Sequence, residues 1–312
     1  MPHLEHLKVH LAGHTGLVGS ALLKRLSRLE GVDLVRAARS EMDLTDARAV
    51  ESFLQSARPD IVINAAGKVG GILANSLYPA EFIYENLVIE TNFIHCSWKA
   101  GVKRLLNFGS ACMYPRNCRQ PMSPDSLLTG KMEPTSEPYA IAMLTGLSLC
   151  SSYNRQYGTS YITAIPCNLY GPGDSFDPTY AHVVAALFSK FFKARMDKAQ
   201  GVTLWGDGSA ARELLYIDDL AGACELLLRC YEGPNPVSIG SGEAHTVREI
   251  AGLVAEVVGF KGEICWDTSD PEGVREKLLD SSDLRGLGWF PFTSLRPGLE
   301  QTFAWFLENW KV

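Results

Sequence analysis

Leu7-Lys8-Val9-His10-Leu11-Ala12 runs directly into Gly13-His14-Thr15-Gly16-Leu17-Val18-Gly19. The first six residues predict a short strand, and Gly16 to Leu29 predict a helix. The three glycines, spaced GxxGxxG, therefore lie in a strand-to-helix turn. Glycine there permits a tight bend and lets the backbone approach a pyrophosphate, whose charge then rests on the helix N-terminus. Any well-made βα loop uses glycine, so the motif gains its meaning from its place between strand and helix. Gly13, Thr15, Gly16, Leu17, Val18 and Gly19 are the candidate cofactor contacts in this turn.

Outward from the turn, short apolar runs alternate with longer amphipathic ones. Strands are predicted at Asp33 to Ala37, Ile61 to Ala66, Arg104 to Phe108 and Tyr161 to Pro166. Helices are predicted at Thr45 to Ser56, Pro79 to Ala100 and Tyr139 to Tyr157. Strands alternating with helices make βαβ units, which require a parallel sheet covered on both faces. The expected fold is α/β: a Rossmann-type doubly wound parallel sheet with a smaller mixed α/β substrate-binding lobe. After the Gly171-Pro172-Gly173-Asp174 turn the rhythm changes, with a helix from Tyr180 to Met196 and an isolated strand at Val202 to Trp205. The chain rejoins the sheet at Tyr216 to Leu228 and Val237 to Gly240, and Cys265 and a helix near Leu295 to Trp310 belong to the smaller lobe. The expected division is residues 1–171 and about 213–260 for the dinucleotide unit, and about 172–212 and 261–312 for the lobe.

The end of the second strand selects the dinucleotide. An acidic side chain there binds a ribose 2′-hydroxyl, whereas arginine accommodates a 2′-phosphate. The segment reads Arg36-Ala37-Ala38-Arg39, with no acid before Glu41, which favours NADP(H). The competing reading leaves both arginines facing water. In Asp43-Leu44-Thr45-Asp46, one carboxylate lies near the adenine and the other caps a helix. Ala65 and Ala66, between Asn64 and Gly67, supply the small residues that close approach to a dinucleotide needs.

Composition excludes several classes. With 46% hydrophobic and 21% charged residues over 312 positions, the chain is an ordinary globular protein. A net charge of -6 argues against a nucleic-acid or anionic-membrane surface. No apolar run reaches membrane-spanning length, and the N-terminus MPHLEHLKVH lacks a leader pattern, so a cytoplasmic location is expected. The eight cysteines form no CxxC pair, so no metal site is expected and the thiols are read as reduced.

The chemistry-bearing segment is Gly109-Ser110-Ala111-Cys112-Met113-Tyr114-Pro115 at a strand end, followed by Tyr139-Ala140-Ile141-Ala142-Met143 opening a helix. Serine at a strand end and tyrosine on the next helix resemble the site of short-chain dehydrogenases/reductases, in their extended branch. There the tyrosine exchanges a proton at the carbinol oxygen while hydride moves to or from nicotinamide. An unperturbed tyrosine, with a pKa near ~10, is a poor base at neutral pH. The family sets a lysine at i+4 to lower it, on the same helix face. Here that residue is Met143, which carries no charge.

Longer runs resemble the GDP-L-fucose synthase family, NADP-dependent GDP-4-keto-6-deoxymannose 3,5-epimerase/4-reductases. They are GKVGGILANSLYPAEFIYEN (Gly67 to Asn86), EPTSEPYAIA (Glu133 to Ala142), YNRQYG (Tyr153 to Gly158), NLYGPGDSFDP (Asn168 to Pro178) and KLLDSSDLRGLGW (Lys277 to Trp289). The resemblance implies a GDP-linked keto-sugar substrate and catalytic roles for Ser110, Cys112, Tyr139 and His182. Cys112 and His182 would move protons at C3 and C5, Ser110 would hold the ketone oxygen, and Tyr139 would protonate it. The bland readings are a small buried hydrophobe for Cys112 and a capping or core histidine for His182. The same resemblance puts Tyr139, Met143, Asn168 and His182 against the cofactor, and Lys190, Trp205, Arg212 and Lys277 against the substrate. Cations are needed there to neutralise a pyrophosphate; a Trp in a strand, such as Trp205, is more often simply core.

The sequence departs from the family pattern at Ala111, Thr15 and Glu276 as well as at Met143. Three enzymatic readings follow: an epimerase/reductase whose reduction is weakened; a C3 and/or C5 epimerase of a GDP-hexose or heptose without productive reduction; or an otherwise ordinary enzyme carrying an introduced methionine. A non-catalytic nucleotide-sugar-binding protein is the remaining one, opposed by the joint presence of Ser110, Cys112, Tyr139 and His182. Family members pair through a four-helix bundle, so a homodimer through the helices at Pro79 to Ala100 and Tyr139 to Tyr157 is expected, with Trp98 and Tyr153 on their outer faces.

Overall fold

A computed structural model describes residues 4, 6–269 and 274–309. The first half alternates β1 (Lys8–Ala12), α1 (Leu17–Leu26), β2 (Asp33–Val35), α2 (Ala47–Ala57), β3 (Ile61–Asn64), α3 (Ile72–Leu77), α4 (Pro79–Lys99), β4 (Arg104–Phe108), α5 (Glu137–Tyr157) and β5 (Ser160–Pro166). Then come β6 (Asn168–Tyr170), α6 (Val183–Met196), β7 (Gly201–Trp205), β8 (Ala211–Tyr216), α7 (Ile217–Cys230), β9 (Val237–Ile239), β10 (Ala244–Thr246) and α8 (Val247–Val258). The chain closes with β11 (Glu263–Asp267), β12 (Glu276–Lys277), α9 (Ser282–Gly286) and α10 (Leu295–Asn309). Trp310, expected at the end of the last helix, lies outside the described residues, as do Met1, Pro2, His3 and Glu5 at the other end.

Six strands form one parallel sheet in the order β2-β1-β3-β4-β5-β9. β3 is buried throughout and β5 everywhere but Ser160, as strands covered on both faces must be. Within β3, Ile61 and Ile63 join the core beneath α1 and α7, whereas Val62 joins the core beneath α2 and α4. This alternation sets helices on both faces and confirms the doubly wound architecture expected from the sequence. The helix ends carry recognisable local signals. Asp46 caps α2 by accepting from Arg48 N at 2.8 Å and Ala49 N at 3.3 Å, and Gly158 ends α5 in the left-handed region at φ +64°.

The remaining strands form a four-stranded set in which β8 pairs with β6, β10 and β12, and a two-stranded set of β7 and β11. β7 is therefore not isolated: it pairs in parallel with the strand containing Cys265, a partner about sixty residues away that no local pattern announces. The sequence assigns residues 213–260 wholly to the sheet unit. Instead α8 buries Ile250, Ala251 and Val254 with α6 and α10 in a separate core, where Phe188 stacks on Phe303 at 5.5 Å. An amphipathic helix docks wherever an apolar surface is available, and its sequence does not say which surface that is. Helix α5 begins at Glu137, so Tyr139 sits within its first turn.

Candidate active site

The glycine turn packs on the end of β3. A Cβ on Gly13 would lie 2.4 Å from the Ala65 carbonyl oxygen, and one on Gly19 would lie 2.0 Å from the Gly13 oxygen. Glycine at both positions is thus required by the turn itself. Gly16 is different, with its nearest neighbour for such an atom 3.7 Å away, so space is open above the helix start. No side chain caps α1 and no acid lies in its first turn, which leaves its N–H groups for an anion. Thr15 is exposed and Leu17 and Val18 half-buried beside them. These features fit a dinucleotide pyrophosphate. Arg36 and Arg39 are exposed past β2, and Arg39 pairs with Asp43 at 3.5 Å. Asp43 also accepts from Thr45 N and Oγ1, which together with Arg39 hold its carboxyl below the usual range. Leu44 is half-buried, and its carbonyl accepts from Asn92.

After β4 the chain makes a short 3-10 turn, Ala111–Met113, with Ser110 at its N-cap accepting from Cys112 N at 3.3 Å. Cys112 is half-buried and lies 4.0 Å from the Lys277 ammonium. Burial pushes this thiol up, but Lys277, hydrogen bonds from Ser110 and Ser136, and the Arg212 guanidinium more than offset it, leaving it below its ordinary value. Lys277 and Arg212 are brought together by register: they face each other across the parallel pair β12 and β8. Arg212 also donates to the Ala211 carbonyl at 2.7 Å.

Tyr139 has other company. Its ring meets Phe82 edge-on at 6.3 Å, and Met143, one turn later, is 4% exposed within the main core. Burial, with Cys112 and Glu90 nearby, drives the Tyr139 phenol well above its ordinary value. Glu90 on α4 is 2% exposed and is pressed against Gly146 of α5, where a Cβ would fall 2.1 Å from its Oε2. Asn107 donates to Glu90 at 2.7 Å, and Asn64 donates to Asn107 at 2.9 Å. Burial pushes the Glu90 carboxyl up to about 8 despite the Asn107 hydrogen bond, so it is protonated at neutral pH.

His182 is the N-cap residue of α6, but its side chain makes no capping hydrogen bond, and burial lowers its pKa. The loop before α3 is docked beside it: Gly71 N donates to Tyr180 O at 3.0 Å, and a Cβ on Gly71 would meet the Ala181 oxygen at 2.4 Å. Lys190 donates to the Thr203 carbonyl at 3.1 Å and lies 5.5 Å from the Trp205 ring centroid. Trp205 is 62% exposed, so it does not serve as core. Asn168 is half-buried at the start of β6. Lys68 is held by Glu81 and, at 2.8 Å, by Glu85.

Ser136 and Glu90 escape a motif-based reading of the sequence. Ser136 stands three residues before Tyr139 in a run already singled out. Glu90 is an acid one residue from Ile89 and three from Phe93, on the helix face that α4 buries. Such an acid on an apolar face is the available signal.

Residues 9–240 match the pattern of the NAD dependent epimerase/dehydratase family. The chain is 49% identical over 302 residues to GDP-L-fucose synthase 1 from Arabidopsis thaliana, covering 97% of this chain and 94% of that protein. It is 47% identical to GDP-L-fucose synthase from Escherichia coli (strain K12), with 97% of each chain covered. Among solved structures, a GDP-mannoheptose C4 reductase from Campylobacter jejuni with NADP bound superposes with a TM-score of 0.88 at 32% identity, covering 98% of this chain and 100% of that one. The match runs through the glycine turn, the Ser110 strand end and the Tyr139 helix alike, and the chain belongs to the NAD dependent epimerase/dehydratase family, within the extended short-chain dehydrogenases/reductases.

Proposed function

We propose that this chain is an NADP-dependent enzyme acting on a GDP-linked 4-keto sugar, in which proton transfer at C3 and C5 is intact and reduction at C4 is weakened. One contrast carries the reading: the Lys277 ammonium stands 4.0 Å from Cys112, while the position one turn beyond Tyr139 holds the buried Met143. A C4 ketone acidifies the hydrogens at C3 and C5. Cys112, drawn toward the thiolate, removes a proton, and His182 exchanges one from the other face, which inverts the centre. Arg212, Lys277 and Lys190 face the diphosphate, with Trp205 beside the sugar nucleotide. NADPH, held by the glycine turn at residues 13–19, would supply hydride to C4. Ser110 holds the ketone oxygen and Tyr139, protonated at rest, gives it a proton. The phenolate left behind then has Glu90 and Cys112 near it and no cation at position 143. Loss of that cation slows reduction by about 2–4 kcal/mol, or roughly one and a half to three decades.

A second reading, a GDP-hexose or heptose epimerase without productive reduction, is favoured by the same Met143, because proton exchange beside a ketone requires neither hydride nor lysine. A homodimer through α4 and α5 accompanies either reading. Tyr84 and Ile141 are exposed on these helices, whereas Trp98 and Tyr153 meet within the chain at 5.8 Å. The test is to incubate the protein with GDP-4-keto-6-deoxymannose in deuterated water, with and without NADPH. Deuterium at C3 and C5 with slow NADPH oxidation is the expected result. Exchange with no oxidation selects the second reading, and absence of both overturns the assignment to this substrate.

A further inference from the structure

We infer a second anion site, outside the Cys112–Tyr139 cleft, in a cavity that takes a small ligand bearing a phosphate or diphosphate group. The segment between Tyr114 and Tyr139 folds back on itself, and Arg116 N donates to the Lys131 carbonyl at 3.0 Å to close the loop. A cavity of about 360 Å³ opens there, lined by Arg116, Arg119 and Lys131 with Ser126 and Thr129. Among the described residues no carboxylate lines it, although acids outnumber bases in the chain as a whole. Among the described residues, none of these three cations forms an ion pair. An adjoining cavity of about 430 Å³ shares Arg116 but is lined by Glu133 and Glu276 together with Arg275, so its charge is balanced. The unbalanced cavity is where a concave surface concentrates positive potential.

The loop is held in shape before any ligand arrives. Gln120 donates to the Glu276 carbonyl at 3.1 Å and accepts from Leu278 N at 2.8 Å, gripping β12 on both sides of Lys277. Met122 N donates to Leu278 O at 2.7 Å, and Asp280 N donates to Met122 O at 2.9 Å. Cys118 N donates to Pro115 O at 3.1 Å. The frame fixes where the three cationic side chains leave the backbone, and the planar heads of the arginines match phosphate oxygens in pairs.

The test uses the full chain with NADP+ saturating, so that the glycine turn is filled. Binding of inorganic pyrophosphate is measured by calorimetry for the unaltered protein, for a control carrying Arg212→Ala with Lys277→Ala, and for Arg116→Gln with Arg119→Gln and Lys131→Gln. Parallel titrations with inorganic phosphate and with a nucleoside monophosphate separate free phosphate from nucleotide as the source. The expected result is one binding event that survives the Arg212/Lys277 change and weakens at least about tenfold in the triple variant, with circular dichroism showing both variants folded. Added salt weakens the same event. If the event that survives the Arg212/Lys277 change keeps its affinity in the folded triple variant, the site is overturned, as it is by the loss of all binding in the Arg212/Lys277 variant. Loss of every event in the triple variant alone leaves the site standing and instead removes the diphosphate role assigned to Arg212 and Lys277 above.

Discussion

Cys112 and Tyr139 are both partly buried, and burial pushes both toward their neutral forms, yet they end on opposite sides of their ordinary pKa values. The thiol has Lys277 at 4.0 Å, Arg212 beyond it and two hydroxyls donating to it. The phenol has Phe82, the buried Met143, and two groups that repel its anion when ionised, Cys112 and, above about pH 8, Glu90. Burial alone does not set reactivity; in a low-dielectric setting the sign of the nearest charge decides it. One corner of the site is therefore equipped to make an anion, and the other to keep a proton.

Giving the phenol a cation should erase the contrast. Met143→Lys is expected to raise the rate of NADPH oxidation with the keto-sugar by roughly one and a half to three decades, measured in single turnover, with C3 and C5 exchange changed far less. A rate that does not move would mean that position 143 is not what limits reduction.

Removing the thiol's cation works in the opposite sense. Lys277→Met is expected to return Cys112 to a raised pKa, slowing its alkylation by iodoacetamide at neutral pH by about tenfold or more, the effect of roughly one pKa unit. Because Lys277 is also proposed to face the substrate, alkylation of the free protein is the cleaner measurement. An unchanged alkylation rate would leave Ser110, Ser136 and Arg212 as the sufficient cause.

The carboxyl beneath the phenol offers a smaller, pH-resolved effect. Glu90 is raised from 4.5 to about 8 on folding, so the unfolded chain releases this proton first as pH rises. The stability that Glu90 contributes is complete below 4.5, declines through the interval up to about 8, and is level above it. Glu90→Gln should consequently melt progressively higher than the unaltered protein as pH rises across that interval, by parallel thermal scans. A constant offset would show that Glu90 titrates normally.

Gly146→Ala probes the packing that confines Glu90. The added Cβ would lie 2.1 Å from Glu90 Oε2 and 2.8 Å from Asn107 Nδ2, so the buried pair must shift. Alanine's helix propensity returns about 1 kcal/mol, against an overpacking cost of about 1–3 kcal/mol. A modest net destabilisation is expected in denaturant melts, and a stabilised variant would mean that the carboxyl moves freely.

The sheet, the glycine turn and the helices carrying Tyr139 and His182 were legible in the order of residues, because each rests on local periodicity, turn chemistry or a cap such as Asp46. The expected site residues stood in runs that could be quoted outright. Local patterns did not reach pairings across long separations: β7 with β11, or β12 with β8, where Lys277 comes to lie opposite Arg212. Nor did they place α8 in the second core, or the Glu90–Asn107–Asn64 chain beneath α5.

By itself, the sequence determined the fold class, the turn that receives a dinucleotide, and the absence of a lysine after Tyr139. Only the tertiary structure decided which groups surround the thiol and the phenol, because a pKa depends on which groups from distant segments share a small volume. Lys277 reaches Cys112 across 165 residues of chain, and Glu90 sits close enough to Tyr139 to oppose its ionisation from another helix. Charge acts through space, and only folding fixes the distances over which it acts.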